Sequence, residues 1–423
     1  MSTKFVWLLA GFQLFHSAGL AARERDSALE HAKKLLARTI LIDGHNDLPW
    51  AIRNDQHARG VVEKYDLLGA APGQTDFRRL AEGRVGGQFW SVYIPGETHG
   101  RFAGVQLEQI GIARRMIELH PDKLRFASTA ADVRAAYRAG RIASMLGMEG
   151  GYGIENSLGT LRVYYDLGVR YMTLTHNTHT DWADSAAQVP LKHGGLSTFG
   201  EAVVREMNRI GMLVDLAHVA PETMDDALRV SRAPVIFSHS SSKAICPVPR
   251  NVPDDILRRM KDNGGVVMVT FVPGFIDPDI ANVTGPAMAM YNARARELKT
   301  DAEREALRKS LFGDLKVPKA TIALVADHFD HIRRVGGVEV LGVGGDYDGN
   351  DEWPEGLEDV SGCPHLFAEL IRRGWTEREL EMIAGENVLR AMERAESVAK
   401  ELQKTLPGPA LDCTPSNPVA CGT

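Results

Sequence analysis

Short apolar runs alternate with longer amphipathic stretches along most of this chain. The runs cover 39–44, 88–94, 142–148, 169–175, 212–217, 235–238, 266–271 and 338–345. Between them, 106–119, 158–167, 200–210, 221–230, 254–262 and 321–335 carry apolar residues at helical spacing. Strands that alternate with helices predict parallel βαβ units. The runs are nearly continuous in apolar residues, as strands covered on both faces must be. Eight such units predict an α/β fold of the (β/α)8 TIM-barrel type rather than an open doubly wound sheet. The turn after the first run, Asp43–Asp47, also lacks the glycine pattern that dinucleotide binding requires.

Two stretches fall outside the plain barrel. Residues 51–87 form a long irregular connection after the first strand. Residues 274–318, with a charged helix-like run at 293–311, separate the seventh and eighth strands. Insertions on the β-to-α side overhang the face where barrels carry their chemistry.

The two ends read differently. Lys4 precedes an apolar stretch, 5–15, and small residues follow at Gly19, Ala21 and Ala22. That layout predicts a secretory signal over 1–22, and hence an exported protein, periplasmic or secreted. The stretch is shorter than the ~20 residues of a spanning helix, and no other reaches that length, so no stable membrane insertion is expected. Residues 23–400 are expected to form one catalytic barrel domain and 401–423 a flexible tail. The tail lacks the apolar run of a lipid-anchor signal. Its Cys413 and Cys421 either pair or stay free; the sequence leaves both open. With 49 basic against 55 acidic residues, the net charge of −6 offers no excess to neutralise phosphates, so no nucleic-acid partner is expected.

The chemistry lies where the strands end. His45 and Asp47 close the first strand, and a spacing of two in extended chain puts both on one face. Glu149 ends the third, His176 the fourth, His218 the fifth, His239 the sixth and Asp346 the eighth. The C-terminal rim of a barrel is where catalytic groups gather. Imidazoles and carboxylates together suit zinc and neighbouring divalent ions. Five ligands exceed one open tetrahedral zinc site, whereas two metal ions sharing Glu149 account for them. His45, Asp47 and Glu149 would hold one ion, and Glu149, His218 and His239 the other. Such a pair sits about 3.5–4 Å apart and makes a bridging hydroxide nucleophilic near neutral pH. Ser240 and Cys246 then read as structural. His328 and His331, at i and i+3 of a helix without a carboxylate partner, read as structural or solvated.

These residues lie in longer motifs. They include 41–49, 85–92, 148–151 and 171–176, then Leu216-Ala217-His218 and 237–241. Arg250-Asn251-Val252-Pro253-Asp254, Gly344-Gly345-Asp346-Tyr347-Asp348-Gly349 and 355–360 complete the set. From about Ala37 to Ala395 the chain resembles the membrane (renal) dipeptidases, binuclear zinc peptidases of the amidohydrolase-like, metallo-dependent hydrolase barrels. The resemblance implies the same five zinc ligands and adds three roles. His176 matches the histidine that contacts the substrate carbonyl and its oxyanion. Arg250 matches the arginine that binds the terminal carboxylate, a role its planar fork suits. Asp346 matches the aspartate that holds the amino group and passes a proton to the leaving amine, with Asp348 as the weaker choice. Trp182-Ala183-Asp184 matches a loop near the site and reads as structural.

The implied activity is hydrolysis of dipeptides with free amino and carboxyl ends, and the resemblance suggests a homodimer. A related hydrolase acting on lactones, cyclic amides or β-lactams is the competing reading. The chain departs from secreted animal-type members in its disulfides: Cys246 stands at a matching position, yet no Cys between Thr270 and Pro318 could receive it.

Overall fold

Eight parallel strands close into a barrel: β1 (Leu41–Asn46), β2 (Val85–Tyr93), β3 (Ile142–Glu149), β4 (Val169–Thr173), β5 (Leu213–Asp215), β6 (Val235–Ser240), β7 (Val266–Val269) and β8 (Leu341–Val343). Each pairs with the next in chain order, and β8 returns to β1 through Asp43 and Val343. The computed structural model describes residues 27–421 apart from 97, 99, 407 and 409–412, so the expected signal at 1–22 lies outside the described residues. Every predicted run overlaps one barrel strand. The eight-unit (β/α)8 architecture is therefore the observed one.

Burial explains the reading. All residues of β1, β6 and β7 are buried, because helices cover the outside and side chains fill the inside. The helices begin and end where local chemistry requires. Ser197 accepts the amide of Gly200 to cap the helix Thr198–Ile210, and Gly211, at φ 88°, ends it in the left-handed conformation that favours glycine. The helix Asn387–Thr405 runs past the expected boundary at residue 400 and buries Val388, Leu389, Met392, Val398 and Leu402. A disulfide joins Cys413 to Cys421, while Cys246 and Cys363 are buried free thiols.

Three expectations need correction. A ninth strand, Leu124–Phe126, pairs with the start of β3 outside the closed ring. Only Leu124 of its three residues is buried, so no apolar run marks it. The run 293–311 is not one helix: Pro278–Ala295 ends first, and Thr300 caps a new helix, Asp301–Phe312, by a reciprocal pair of hydrogen bonds with Glu303. The 51–87 connection is also less irregular than expected, since it holds the end of the helix Leu48–Arg53, the helix Phe77–Glu82 and the first residues of β2. No helix among the described residues is long and apolar enough to cross a membrane.

Candidate active site

The strand ends deliver their polar residues into one cup. His45 lies within β1, and Asp47 begins the helix Leu48–Arg53 directly after it. Glu149 is the last residue of β3, and His239 lies in β6. His176, His218 and Asp346 each stand three residues beyond their strand, later than the sequence suggested. His218 (φ 66°) and Asp346 (φ 68°) hold the left-handed conformation, a strain that turns both side chains at the rim. The Asp346 amide donates to the His45 carbonyl at 3.1 Å, tying the last strand end to the first.

Glu149 organises the cup. Its Oε2 lies 3.4 Å from His45 Nε2, and its Oε1 lies 3.0 Å from His218 Nε2 and 3.5 Å from His239 Nε2. The two carboxylate oxygens thus address different histidines. Asp47 Oδ2 is 3.3 Å from His45 Nε2, and Asp346 Oδ1 is 3.9 Å from it. His218 and His239 bring their Nε2 atoms within 2.7 Å of each other. Donor atoms converge in three overlapping groups: His45, Glu149 and His239; Glu149, His176 and His218; His45, Asp47 and Asp346. All seven rim residues meet, although the grouping puts His176 and Asp346 closer to the donors than a strict five-ligand set would.

The electrostatics suit cations. Burial, with the Arg250 charge nearby, pushes His218 well below its ordinary value, and burial does the same to His239, so both are neutral imidazoles, the form that binds metal. Burial opposes charge on Glu149, yet His45 and His218 hold it well below the usual carboxylate range. Burial pushes Asp346 well above that range, reinforced by the charges of Asp47 and Glu149. Buried His45 Nε2 and Asp47 Oδ1 make no hydrogen bond. Such orphaned acceptors beside an anionic carboxylate fit divalent ions with nitrogen and oxygen ligands.

Arg250 lies beside this cup. It is 6% exposed, donates from Nη2 to the His239 carbonyl at 2.7 Å and stacks 4.2 Å over the Phe275 ring. Its Nε and Nη1 are buried without partners, and burial pushes its pKa down to about 10, which leaves it charged near neutrality. A buried fork with two idle donors fits a carboxylate. Asp348 instead faces the β1–β2 connection, where it accepts from the Gln74 amide at 2.8 Å. Asp184 accepts three amides of its own loop, and Trp182 packs on Phe199, so both are structural.

Residues hidden in apolar strands support the cup. Tyr171 of β4 reaches His45 Nδ1 at 2.9 Å because Gly147 leaves room for its ring, where a Cβ would lie 2.0 Å from the ring carbon Cζ. Ser238 contacts His239 Nδ1 at 2.8 Å and donates to Asp215 at 2.6 Å. Neither was singled out in the sequence. A single phenol within an apolar run carries no signal of its own, and a serine beside a histidine on an extended strand is expected to face the other way.

His328 belongs to the framework. Its Nδ1 accepts the Ser242 amide, its Nε2 donates to the Ile276 carbonyl, and burial pushes its pKa down to about 4. Between pH 6.5 and 4 the unfolded chain takes up a proton that the folded chain refuses, so stability falls as pH drops through this window. The loss at pH 4 is about 3 kcal/mol. His328→Gln removes that slope from unfolding free energies measured by urea titration; an unchanged slope assigns it elsewhere.

Residues 29–406 match the family model "Membrane dipeptidase (Peptidase family M19)". Dipeptidase 3 of Rattus norvegicus is 41% identical over 379 residues, which span 88% of this chain and 68% of the relative. The probable dipeptidase PvdM from Pseudomonas aeruginosa has a solved structure that aligns with a TM-score of 0.77 at 25% identity, over 88% of this chain and 100% of that one. A metallo peptidase from Rhodobacter sphaeroides, solved with a phosphinate mimic of the dipeptide L-Ala-D-Ala, shares the fold at a TM-score of 0.68 and 24% identity, over 84% of this chain and 99% of that one. A family match spanning the whole barrel, over a rim so rich in metal-binding side chains, decides the matter: the chain belongs to the membrane dipeptidase family and is a metallo-dipeptidase.

Proposed function

We propose that the enzyme cleaves dipeptides bearing free amino and carboxyl ends and uses two zinc ions held across Glu149. His45, Asp47 and Glu149 would hold one ion, and Glu149, His218 and His239 the other. The observation that carries this reading is the split of the Glu149 carboxylate, Oε2 toward His45 and Oε1 toward His218 and His239. When bound, the ions supply Lewis acidity and a nucleophilic hydroxide near neutral pH.

The remaining work falls to the chain. His176, among the converging donors, donates to the oxygen where negative charge develops on the scissile carbonyl. Arg250 offers its idle Nε and Nη1 to the substrate carboxylate. Asp346, as the carboxylate, takes the substrate ammonium and relays a proton to the departing amine. Opposite charges that hold opposite ends set a length limit of two residues.

N-acetyl dipeptides and tripeptides should therefore lose at least about 100-fold in kcat/KM, roughly 3 kcal/mol, relative to the parent dipeptides. Steady-state assays of matched substrates check this, and tripeptides cleaved as fast as dipeptides overturn the length limit. Lactones and β-lactams in the same panel separate a dipeptidase from a broader amidohydrolase. Export rests on the pattern at 1–22, and N-terminal sequencing of the mature protein tests it.

A further inference from the structure

We infer that two separate hydrogen-bond chains outside the cup aim its histidines, Tyr171 acting on His45 and the Asp215–Ser238 pair on His239, so that each chain sets the affinity of a different metal ion. The inference rests on the two-ion reading and adds positioning residues to it.

A hydroxyl has one proton to give. Tyr171 gives its proton to the Gly44 carbonyl at 3.1 Å, so toward His45 Nδ1, 2.9 Å away, it acts as acceptor. Ser238 gives its proton to Asp215 Oδ2 at 2.6 Å, so it accepts from His239 Nδ1 at 2.8 Å. In both histidines Nδ1 therefore carries a proton, and Nε2 is the nitrogen left facing the cup for a metal ion. Partners of this kind fix the tautomer and ring angle of a metal-binding histidine and raise its basicity.

The backbone is arranged for these contacts. The pairing of β6 with β7 shifts register between Phe237 and Ser240, and that of β1 with β2 shifts between Asp43 and Asn46. Each shift spans one of the two histidines. An irregularity of this sort re-aims a side chain, which is how neighbours on an extended strand, Ser238 and His239, come to touch. The chains also differ in strength. One ends on a carbonyl, the other on a buried carboxylate that further accepts Thr173 Oγ1 at 2.5 Å and the Ser238 amide at 2.8 Å. A charged end polarises its chain more, so the Ser238 chain should carry the larger effect.

The test measures zinc affinity directly, by competition with a chromophoric chelator, on full-length metal-stripped protein. Wild type is expected to bind two ions. Ser238→Ala and Tyr171→Phe should each weaken one binding step by about 10–100-fold and spare the other. Combined, they should weaken both. Asp215→Asn, which replaces the acceptor at the chain's end, should weaken the same step as Ser238→Ala and add little to it. Thermal melts of the stripped variants separate lost positioning from lost folding. Two tight ions in wild type with both steps unchanged in folded Ser238→Ala and Tyr171→Phe overturn the positioning chains alone. The same holds if both variants weaken the same step. A wild type that binds a single ion overturns the two-ion reading itself.

Discussion

Glu149→Gln should abolish turnover, lowering kcat/KM by about 1,000-fold or more, roughly 4 kcal/mol of transition-state stabilisation. The substitution keeps the side chain's size but replaces one anionic oxygen by an NH2 group, which cannot face either His45 or His218 and His239 as a ligand. Because the two oxygens of Glu149 face the two sides of the cup, its loss should strip metal from both. Metal analysis alongside kinetics checks this. Chelated wild type should fall to the same floor, and added zinc should revive wild type but not the variant. A Glu149→Gln protein that keeps two ions and turns over within tenfold of wild type would remove Glu149 from the centre.

Arg250→Met should cost about 2–5 kcal/mol in kcat/KM, roughly 30-fold to several-thousand-fold, which is the usual loss when one member of a buried charged pair is removed. Methionine keeps an unbranched apolar stem over Phe275 and removes the fork. Dipeptide amides give the decisive comparison. Wild type should discriminate strongly against them, and Arg250→Met should not, because the guanidinium and the carboxylate are read as a pair. Arg250→Lys should recover little, since one ammonium cannot supply two parallel donors. The variant's metal content must match wild type, because Arg250 also holds the His239 carbonyl. Undiminished discrimination in Arg250→Met would send the carboxylate elsewhere.

The barrel was legible because strands covered on both faces leave uninterrupted apolar runs, and each such run became a strand. Leu124–Phe126 was not, since one buried residue in three leaves no pattern. Polar residues at the ends of those runs pointed to the cup because strand ends share a rim. The partition was not legible: spacing cannot say which oxygen of Glu149 faces which imidazole. Nor could it reveal Tyr171, whose phenol is one polar atom on an apolar-looking strand, or Ser238, whose contact depends on a register shift. By residue type alone Arg250 looks like a surface charge; the motif resemblance pointed it at the substrate instead, and in the fold it lies buried against Phe275.

The seam between β8 and β1 carries a consequence for how this enzyme comes into being. Asp43 accepts the Gly345 amide across 302 positions of chain, and the amide of Asp346 bonds to His45 over a comparable distance. Joining such remote segments is among the slowest and most entropically demanding events in assembling a protein. A polypeptide still being synthesised, or cut short before β8, has no complete cup, however well its earlier units have formed. Hydrolytic power arrives with the final stitch, and the same stitch is where bound cations would lock the ring shut.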